Sequence, residues 1–113
     1  MVNVHGSTAV VTGGQRGLGK ALVAELIKRG AFQVYATARQ PEASTDPRVV
    51  SAALDVTSTK SIAALAEIAA DATLVFNNAG ISGARPSLLK SEFRDIRTVF
   101  ETNYFGALRV ARA

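Results

Sequence analysis

Short apolar runs alternate with stretches of helical periodicity along the whole chain. Four of these runs predict buried strands, at Ser7–Val11, Phe32–Thr37, Arg48–Leu54 and Thr73–Phe76. The segments that follow the first, third and fourth runs carry apolar residues three and four positions apart, which predicts helices. Strands that alternate with helices favour parallel pairing through right-handed crossovers. The pattern therefore predicts one α/β domain built on a doubly wound parallel sheet.

Residues that commonly start and stop helices bound the helical segments. The first helix is predicted over Gly19–Arg29. Thr57 or Ser58 can cap the second helix, and Ser91 can cap a last helix over Glu92–Ala113. The predicted loops between elements are Gln40–Pro47 and Asn77–Pro86.

The end of the chain predicts that the domain is larger than 113 residues. Apolar positions such as Leu108 and Val110 continue to the end of the last helix, and no Gly, Asn or Pro stops it. Four parallel strands would also leave the fourth with a bare edge, which favours aggregation. We expect the chain to be the N-terminal part of a longer polypeptide.

Composition excludes several kinds of chemistry. The chain has 48% hydrophobic residues, enough for a packed core, and no cysteine. A disulfide framework, a thiolate metal site and a cysteine nucleophile are therefore excluded. The single histidine, His5, precedes the first strand and makes a Ser-His-Asp triad or a histidine metal site improbable.

Charge and hydropathy favour a cytoplasmic protein without a nucleic-acid or membrane partner. The net charge of +4 comes from basic residues spread along the chain, without a basic run interleaved with aromatic residues. No apolar run approaches the roughly 20 residues that a membrane span requires. A basic leader followed by an apolar stretch is also missing from the N-terminus.

A glycine-rich turn, TGGQRGLGK over Thr12–Lys20, lies between the first strand and the first helix. Glycines permit close approach to a ligand, and a helix N-terminus directs free N–H groups at an anion. A phosphate site is therefore expected. The residues from Gly14 to Lys20 also resemble a P-loop, but that motif requires Ser or Thr where this chain has Ala21.

Further segments match one family in order and position. The turn has the spacing Thr-Gly-xxx-Gly-x-Gly, Asp55 and Val56 follow the third strand, Asn77–Gly80 reads Asn-Asn-Ala-Gly after the fourth, and Asn103 lies in the last helix. Together they resemble the short-chain dehydrogenase/reductase family. The resemblance implies a Rossmann-type fold, of which the chain holds the first four strands with their flanking helices. It also implies a nicotinamide cofactor beyond the ends of the first and fourth strands.

The resemblance assigns most of the candidate site residues to the cofactor. They are Gly13, Gln15, Arg16, Gly17, Leu18, Gly19, Arg39, Asp55, Val56, Asn78, Ala79 and Gly80. Among them, Asp55 and Val56 are expected to contact adenine. Asn103 matches the helix asparagine of the family's catalytic tetrad and is the one catalytic candidate.

The end of the second strand favours NADP(H) over NAD(H). NAD-binding folds place an acidic residue there to bind the ribose 2′-hydroxyl. Here that region ends in Arg39 and contains no acid. An arginine pairs with a 2′-phosphate through charge-assisted hydrogen bonds, and Arg16 matches a second basic position of NADP-preferring family members. We therefore predict that Arg16 and Arg39 bind the 2′-phosphate.

The catalytic half of the family's pattern is missing. No Tyr-xxx-Lys occurs: Tyr35 is followed four residues later by Arg39, and Tyr104 by Leu108. The resemblance implies hydride transfer to or from a carbonyl or secondary alcohol and, for the full-length form, a homo-oligomer. An inactive dinucleotide-binding module is the second interpretation, and a P-loop nucleotidase is the third.

Overall fold

A computed structural model describes residues 3–81 and 91–113. Its elements follow the predicted order of strands and helices. They are β1 (Thr8–Val11), α1 (Gly17–Lys28), β2 (Gln33–Ala38), β3 (Val49–Ala53), α2 (Thr59–Ile68), β4 (Leu74–Phe76), α3 (Phe93–Phe100), a π-helical turn (Glu101–Gly106) and α4 (Ala107–Arg112). Where the sequence predicted the end of a helix or strand, the observed end lies within two residues of it. The predicted loop Asn77–Pro86 is described only as far as Ile81.

The four strands form one parallel sheet in the order β3-β2-β1-β4. Val11, the last residue of β1, pairs with Ala36 on one side and with Phe76 on the other. The segments that follow β1 and β4 therefore leave the sheet side by side at the same edge. This arrangement confirms the predicted doubly wound α/β fold.

Two apolar clusters cover the two faces of the sheet. Because side chains alternate along a strand, Val10 and Tyr35 face α2 while Val11 and Val34 face α1. The first cluster also contains Ala52, Leu54, Val56, Ile62, Leu65 and Ala69, and the second also contains Ala9, Val23, Leu26, Ala31 and Ala36. Because helices cover both faces of the sheet, the loops that follow the strands come together at its carboxyl edge.

Helix α1 starts two residues earlier than predicted and stops at the predicted glycine. Arg16 is extended, and its carbonyl accepts the Lys20 N–H at 3.2 Å, so the helix begins at Gly17. At the other end Gly30 has φ +87°, and its N–H bonds the Ile27 carbonyl. Such a left-handed glycine is a common helix stop.

The capping predictions gave one success and one error. The Ser58 hydroxyl accepts the Ser61 N–H at 3.1 Å and caps α2. In the last helical segment the N-cap position is held by Glu92 and not by Ser91, and the Glu92 side chain makes no capping hydrogen bond. Glu92 has an extended backbone, and its carbonyl accepts the Ile96 N–H at 3.1 Å, which makes it the first residue of that helix's hydrogen-bond ladder. Within residues 3–81 and 91–113, no helix has the length and apolar character to cross a membrane.

The last helical segment crosses closely over the residues that follow β3. A Cβ placed on Gly106 would lie 2.7 Å from Cγ2 and 3.1 Å from the carbonyl oxygen of Val56. Both residues are buried. The closeness of this contact explains why glycine stands here inside a helical segment, where alanine would otherwise be favoured.

Replacing Gly106 with alanine is expected to lower the free energy of unfolding by about 1–2 kcal/mol, because overpacking outweighs the gain in helix propensity. Urea denaturation of the variant and the wild type measures the difference. Val56→Ala removes the obstructing methyl group, so the cost of Gly106→Ala should shrink in that background. An equal cost in both backgrounds would contradict the packing explanation.

Candidate cofactor site

A cavity of about 630 Å³ opens at the carboxyl edge of the sheet, which is large enough for part of a dinucleotide. Residues after all four strands contribute to its wall, and Thr102 contributes from the π-helical turn. The lining residues are Gly13, Gln15, Arg16, Thr37, Ala38, Arg39, Gln40, Leu54, Asp55, Val56, Thr57, Asn78, Ala79, Gly80, Ile81 and Thr102.

The structure brings most of the predicted site residues into this one cavity. Those that line it are Gly13, Gln15, Arg16, Arg39, Asp55, Val56, Asn78, Ala79 and Gly80. Gly17, Leu18, Gly19 and Asn103 lie outside its wall, and the Leu18 side chain is 71% exposed. The individual contacts of all these residues with a cofactor stay predictions.

The glycine turn is compact because it has no side chains at its closest approaches. Gly13 has φ +65° and Gly17 has φ +52°, a region that favours glycine. A Cβ on the buried Gly19 would lie 1.9 Å from the Gly13 carbonyl oxygen and 2.6 Å from Nδ2 of Asn78. The turn, the start of α1 and the loop after β4 therefore meet at a point with space for a hydrogen atom only.

Thr12 joins the loops that follow β1 and β4. Its side chain is fully buried, and Oγ1 accepts the N–H groups of Asn78 at 3.0 Å and Ala79 at 2.9 Å. Nδ2 of Asn78 in turn donates to the carbonyls of Thr12 and Gly13, both at 3.2 Å. Asn78 thereby bridges the backbone of the two neighbouring loops. Thr12 was part of the predicted motif but not of the predicted site.

A second threonine supports the turn from β2. The N–H of Gly13 donates to Oγ1 of Thr37 at 3.3 Å, and the N–H of Gly14 donates to the Thr37 carbonyl at 3.0 Å. Thr37 lines the cavity although it is only 1% exposed. Sequence reasoning missed it, and the one available signal was a polar residue at the end of an apolar strand.

Asp55 forms the β3 side of the cavity. Its Oδ1 accepts the Thr57 N–H at 2.9 Å and the Thr57 hydroxyl at 2.6 Å. These hydrogen bonds hold the pKa of the Asp55 carboxyl below its usual range, and the positive charge of Arg39 adds to the effect. Asp55 is therefore ionised and oriented at neutral pH.

The lowered pKa predicts a pH dependence of stability. A carboxylate whose pKa falls on folding stabilises the protein above its unfolded pKa, and this contribution disappears as the pH falls through the folded pKa. Between pH 6 and pH 2 the wild type should lose up to about 0.5 kcal/mol more unfolding free energy than Asp55→Asn, because solvent screens the carboxylate. Urea denaturation at both pH values gives this difference, and identical losses would contradict it.

The Asn103 side chain is hydrogen-bonded to the loop that follows β4. Its Oδ1 accepts the Ile81 N–H and its Nδ2 donates to the Ile81 carbonyl, both at 2.7 Å. A Cβ on Gly80 would lie 3.2 Å from Oδ1 of Asn103. Asn77 makes a parallel connection, from Nδ2 to the Ala107 carbonyl at 3.0 Å. The Asn103 side chain therefore orients the loop. The catalytic role of Asn103 stays a prediction.

A π-helical turn accompanies Asn103. The last helical segment widens over Glu101–Gly106, so that Asn103 lies in its middle. Isolated π turns inside α-helices occur frequently at functional sites. The sequence prediction of one uninterrupted helix over Glu92–Ala113 therefore missed a local change beside the cavity.

Comparison with known proteins decides the family. The family model described as short chain dehydrogenase matches residues 7–113. The chain belongs to the short-chain dehydrogenase family. The P-loop interpretation is therefore not favoured, as Ala21 had already indicated.

Relatives and solved structures of short-chain dehydrogenases agree with this assignment. The chain is 34% identical over 118 residues to oxidoreductase calM of Penicillium decumbens, covering 92% of the chain and 38% of the relative. It is 30% identical over 120 residues to an NADPH-dependent pterin aldehyde reductase of Arabidopsis thaliana, covering 96% and 50%. It also matches the crystal structure of a short chain dehydrogenase from Burkholderia cenocepacia J2315 in complex with NADP. That match has 39% identity and a TM-score of 0.91, over 99% of this chain and 48% of the other. The chain thus spans half or less of the length of these proteins.

Proposed function

We propose that this short-chain dehydrogenase sequence is the cofactor-binding part of an NADP(H)-dependent oxidoreductase. The observation that carries the proposal is the charge of the cavity wall. Arg16 of the glycine turn and Arg39, which follows β2, line the cavity, and the only acidic lining residue among those described, Asp55, follows β3. The NADP bound by the Burkholderia relative and the NADPH dependence of the Arabidopsis relative support the same cofactor.

The residues of the cavity fit a dinucleotide. Gly13 and Gly19 keep the turn free of side chains where it meets α1, whose positive end and free N–H groups favour a pyrophosphate. Asp55 and Val56 would hold the adenine, Ala79 and Gly80 would allow close approach of a ribose, and Arg16 and Arg39 would pair with the 2′-phosphate. When bound, the nicotinamide supplies or accepts the hydride.

The substrate class and the assembly are parts of the same proposal. The substrate is a carbonyl compound or a secondary alcohol, and the polypeptide works in the cytoplasm as a homo-oligomer. The exposed aromatic side chains of the last helical segment, Phe93 at 80% and Tyr104 at 61%, are available for a subunit contact or for packing against the rest of a longer domain. The second candidate is a dinucleotide-binding module without hydride transfer, because Tyr-xxx-Lys is missing from residues 1–113.

An activity assay separates the two candidates. Oxidation of NADPH should be measured over a panel of aldehydes and ketones, with the 113-residue chain and with a polypeptide that includes any coding sequence downstream of Ala113. Turnover by the longer polypeptide supports the oxidoreductase. Binding of NADPH without turnover by either protein supports the inactive module, and failure of both to bind NADPH or NADH overturns both candidates.

Replacing Arg39 with alanine tests the cofactor preference. Loss of charge-assisted hydrogen bonds to the 2′-phosphate should weaken NADPH binding about 10- to 100-fold and leave NADH binding nearly unchanged. Dissociation constants for both cofactors can be obtained by titration. Arg29→Ala is the matched control, because Arg29 lies at the far end of α1 and pairs with Glu25. Equal changes for NADPH and NADH in Arg39→Ala would contradict the preference.

A further inference from the structure

Both ends of the Gln15 side-chain amide are hydrogen-bonded to the protein although Gln15 lines the cavity. Its Nε2 donates to the Ala36 carbonyl at 3.1 Å, and its Oε1 accepts the Glu42 N–H at 2.8 Å. A glutamine amide that both donates and accepts in this way has a defined orientation. Gln15 therefore connects the glycine turn to β2 and to the loop that follows β2.

Glu42 is held from a second side as well. The hydroxyl of Ser51, on β3, donates to the Glu42 carbonyl. Both backbone polar groups of Glu42 are thus hydrogen-bonded, one from the glycine turn and one from the neighbouring strand. These two hydrogen bonds restrict the positions that the exposed loop can adopt around Glu42.

Glu42, which these hydrogen bonds hold, lies close to the proposed 2′-phosphate site. Only Arg39, Gln40 and Pro41 separate Glu42 from Ala38, the last residue of β2, which is held in the sheet opposite Ala53. Arg39 and Gln40 line the cavity, and Pro41 has a restricted φ. The segment that carries Arg39 is therefore short and anchored at both ends.

We propose that Gln15 is a positioning residue for cofactor selection, which acts by anchoring Glu42 so that Arg39 is already directed at the 2′-phosphate. This inference rests on the proposed NADP(H) preference. Anchoring the loop before binding reduces the conformational entropy that Arg39 loses when it pairs with the ligand. NADH has a neutral 2′-hydroxyl where NADPH has a charged phosphate, so it gains less from Arg39 and the anchor should favour NADPH selectively.

The first test measures Kd for NADPH and NADH with the full polypeptide. Gln15→Met keeps the size of the side chain but removes both hydrogen bonds, and it should lower the preference for NADPH about fivefold. Ser51→Ala loosens the same Glu42 from outside the cavity and should lower it about twofold to threefold. Ser51→Thr keeps the hydroxyl and should restore the wild-type preference. An unchanged preference in Gln15→Met and Ser51→Ala would overturn the inference.

A double-mutant cycle distinguishes positioning from direct contact. In an Arg39→Ala background, Gln15→Met should have no further effect on the ratio of the two dissociation constants, because the residue it positions is missing. A full, additive effect would show that Gln15 contacts the cofactor itself and would overturn the inference. If Arg39→Ala alone leaves the preference unchanged, the proposed NADP(H) specificity fails. If it abolishes the preference while Gln15→Met has no effect, only the positioning inference fails.

Discussion

Alanine at position 19 is expected to abolish measurable binding of NADPH and NADH and to lower the free energy of unfolding by about 3 kcal/mol. The added Cβ would lie 1.9 Å from the backbone oxygen of Gly13 and 2.6 Å from Nδ2 of Asn78. The obstacle at Gly13 is backbone, so a change of rotamer cannot relieve it. The turn must move away from α1, and the N–H groups that would face a pyrophosphate move with it.

Gly6→Ala is the matched control for this substitution. Gly6 has φ +75° but open space around the position of a Cβ, and it lies outside the cavity wall. Its replacement should cost about 1–2 kcal/mol of stability through backbone strain and leave cofactor affinity unchanged. Urea denaturation and cofactor titration of both variants separate strain from steric overlap. Wild-type affinity in Gly19→Ala would show that the turn does not form the phosphate site.

The sequence predicted the sheet well because local patterns determine strands. The apolar runs before the glycine turn and before Arg39 form the buried strands β1 and β2, and their ends were predicted within one residue. Parallel pairing followed from the alternation of strands and helices, whereas the order β3-β2-β1-β4 came from the structure. The carboxyl ends of parallel strands then had to meet at a single edge, where the cavity lies.

Helix ends were predicted less well, because they depend on backbone geometry that composition alone does not decide. Ser91 has a favourable capping side chain, yet the backbone leaves the extended conformation only after Glu92. The start of α1 was predicted two residues late, because the Arg16 carbonyl already accepts the Lys20 N–H. Both errors lie at the first turn of a helix, where one or two residues decide which carbonyl begins the hydrogen-bond ladder.

The residues that hold the site together were mostly beyond prediction, because their partners are distant in sequence. Gln15 and Glu42 are 27 positions apart, and Thr12 and Asn78 are 66 apart. Neither pair follows from periodicity or from a short motif. The sequence could assign Gln15 to the ligand by its position in the turn, whereas the structure assigns its amide to the protein.

Thr12 offers the most direct test of how the two loops are joined. Thr12→Val keeps the shape of the side chain but removes the oxygen that accepts the N–H groups of Asn78 and Ala79. The Asn78 N–H keeps a bond to the Phe76 carbonyl at 2.9 Å, so the main loss is at Ala79. Leaving this part-buried donor without its acceptor should lower the free energy of unfolding by about 2 kcal/mol.

Thr12→Ser separates the hydroxyl from the methyl group. It keeps the acceptor and loses one buried methyl, so it should cost only about 1 kcal/mol. Urea denaturation compares the unfolding free energies of the two variants. Titration with NADPH should show weaker binding in Thr12→Val alone, because this variant no longer holds Ala79 and Gly80 against the glycine turn. If Thr12→Ser proves as harmful as Thr12→Val, packing rather than hydrogen bonding fixes the two loops. The ribose side of the cavity would then depend on the shape of the core beneath it and not on the polar contacts between β1 and β4.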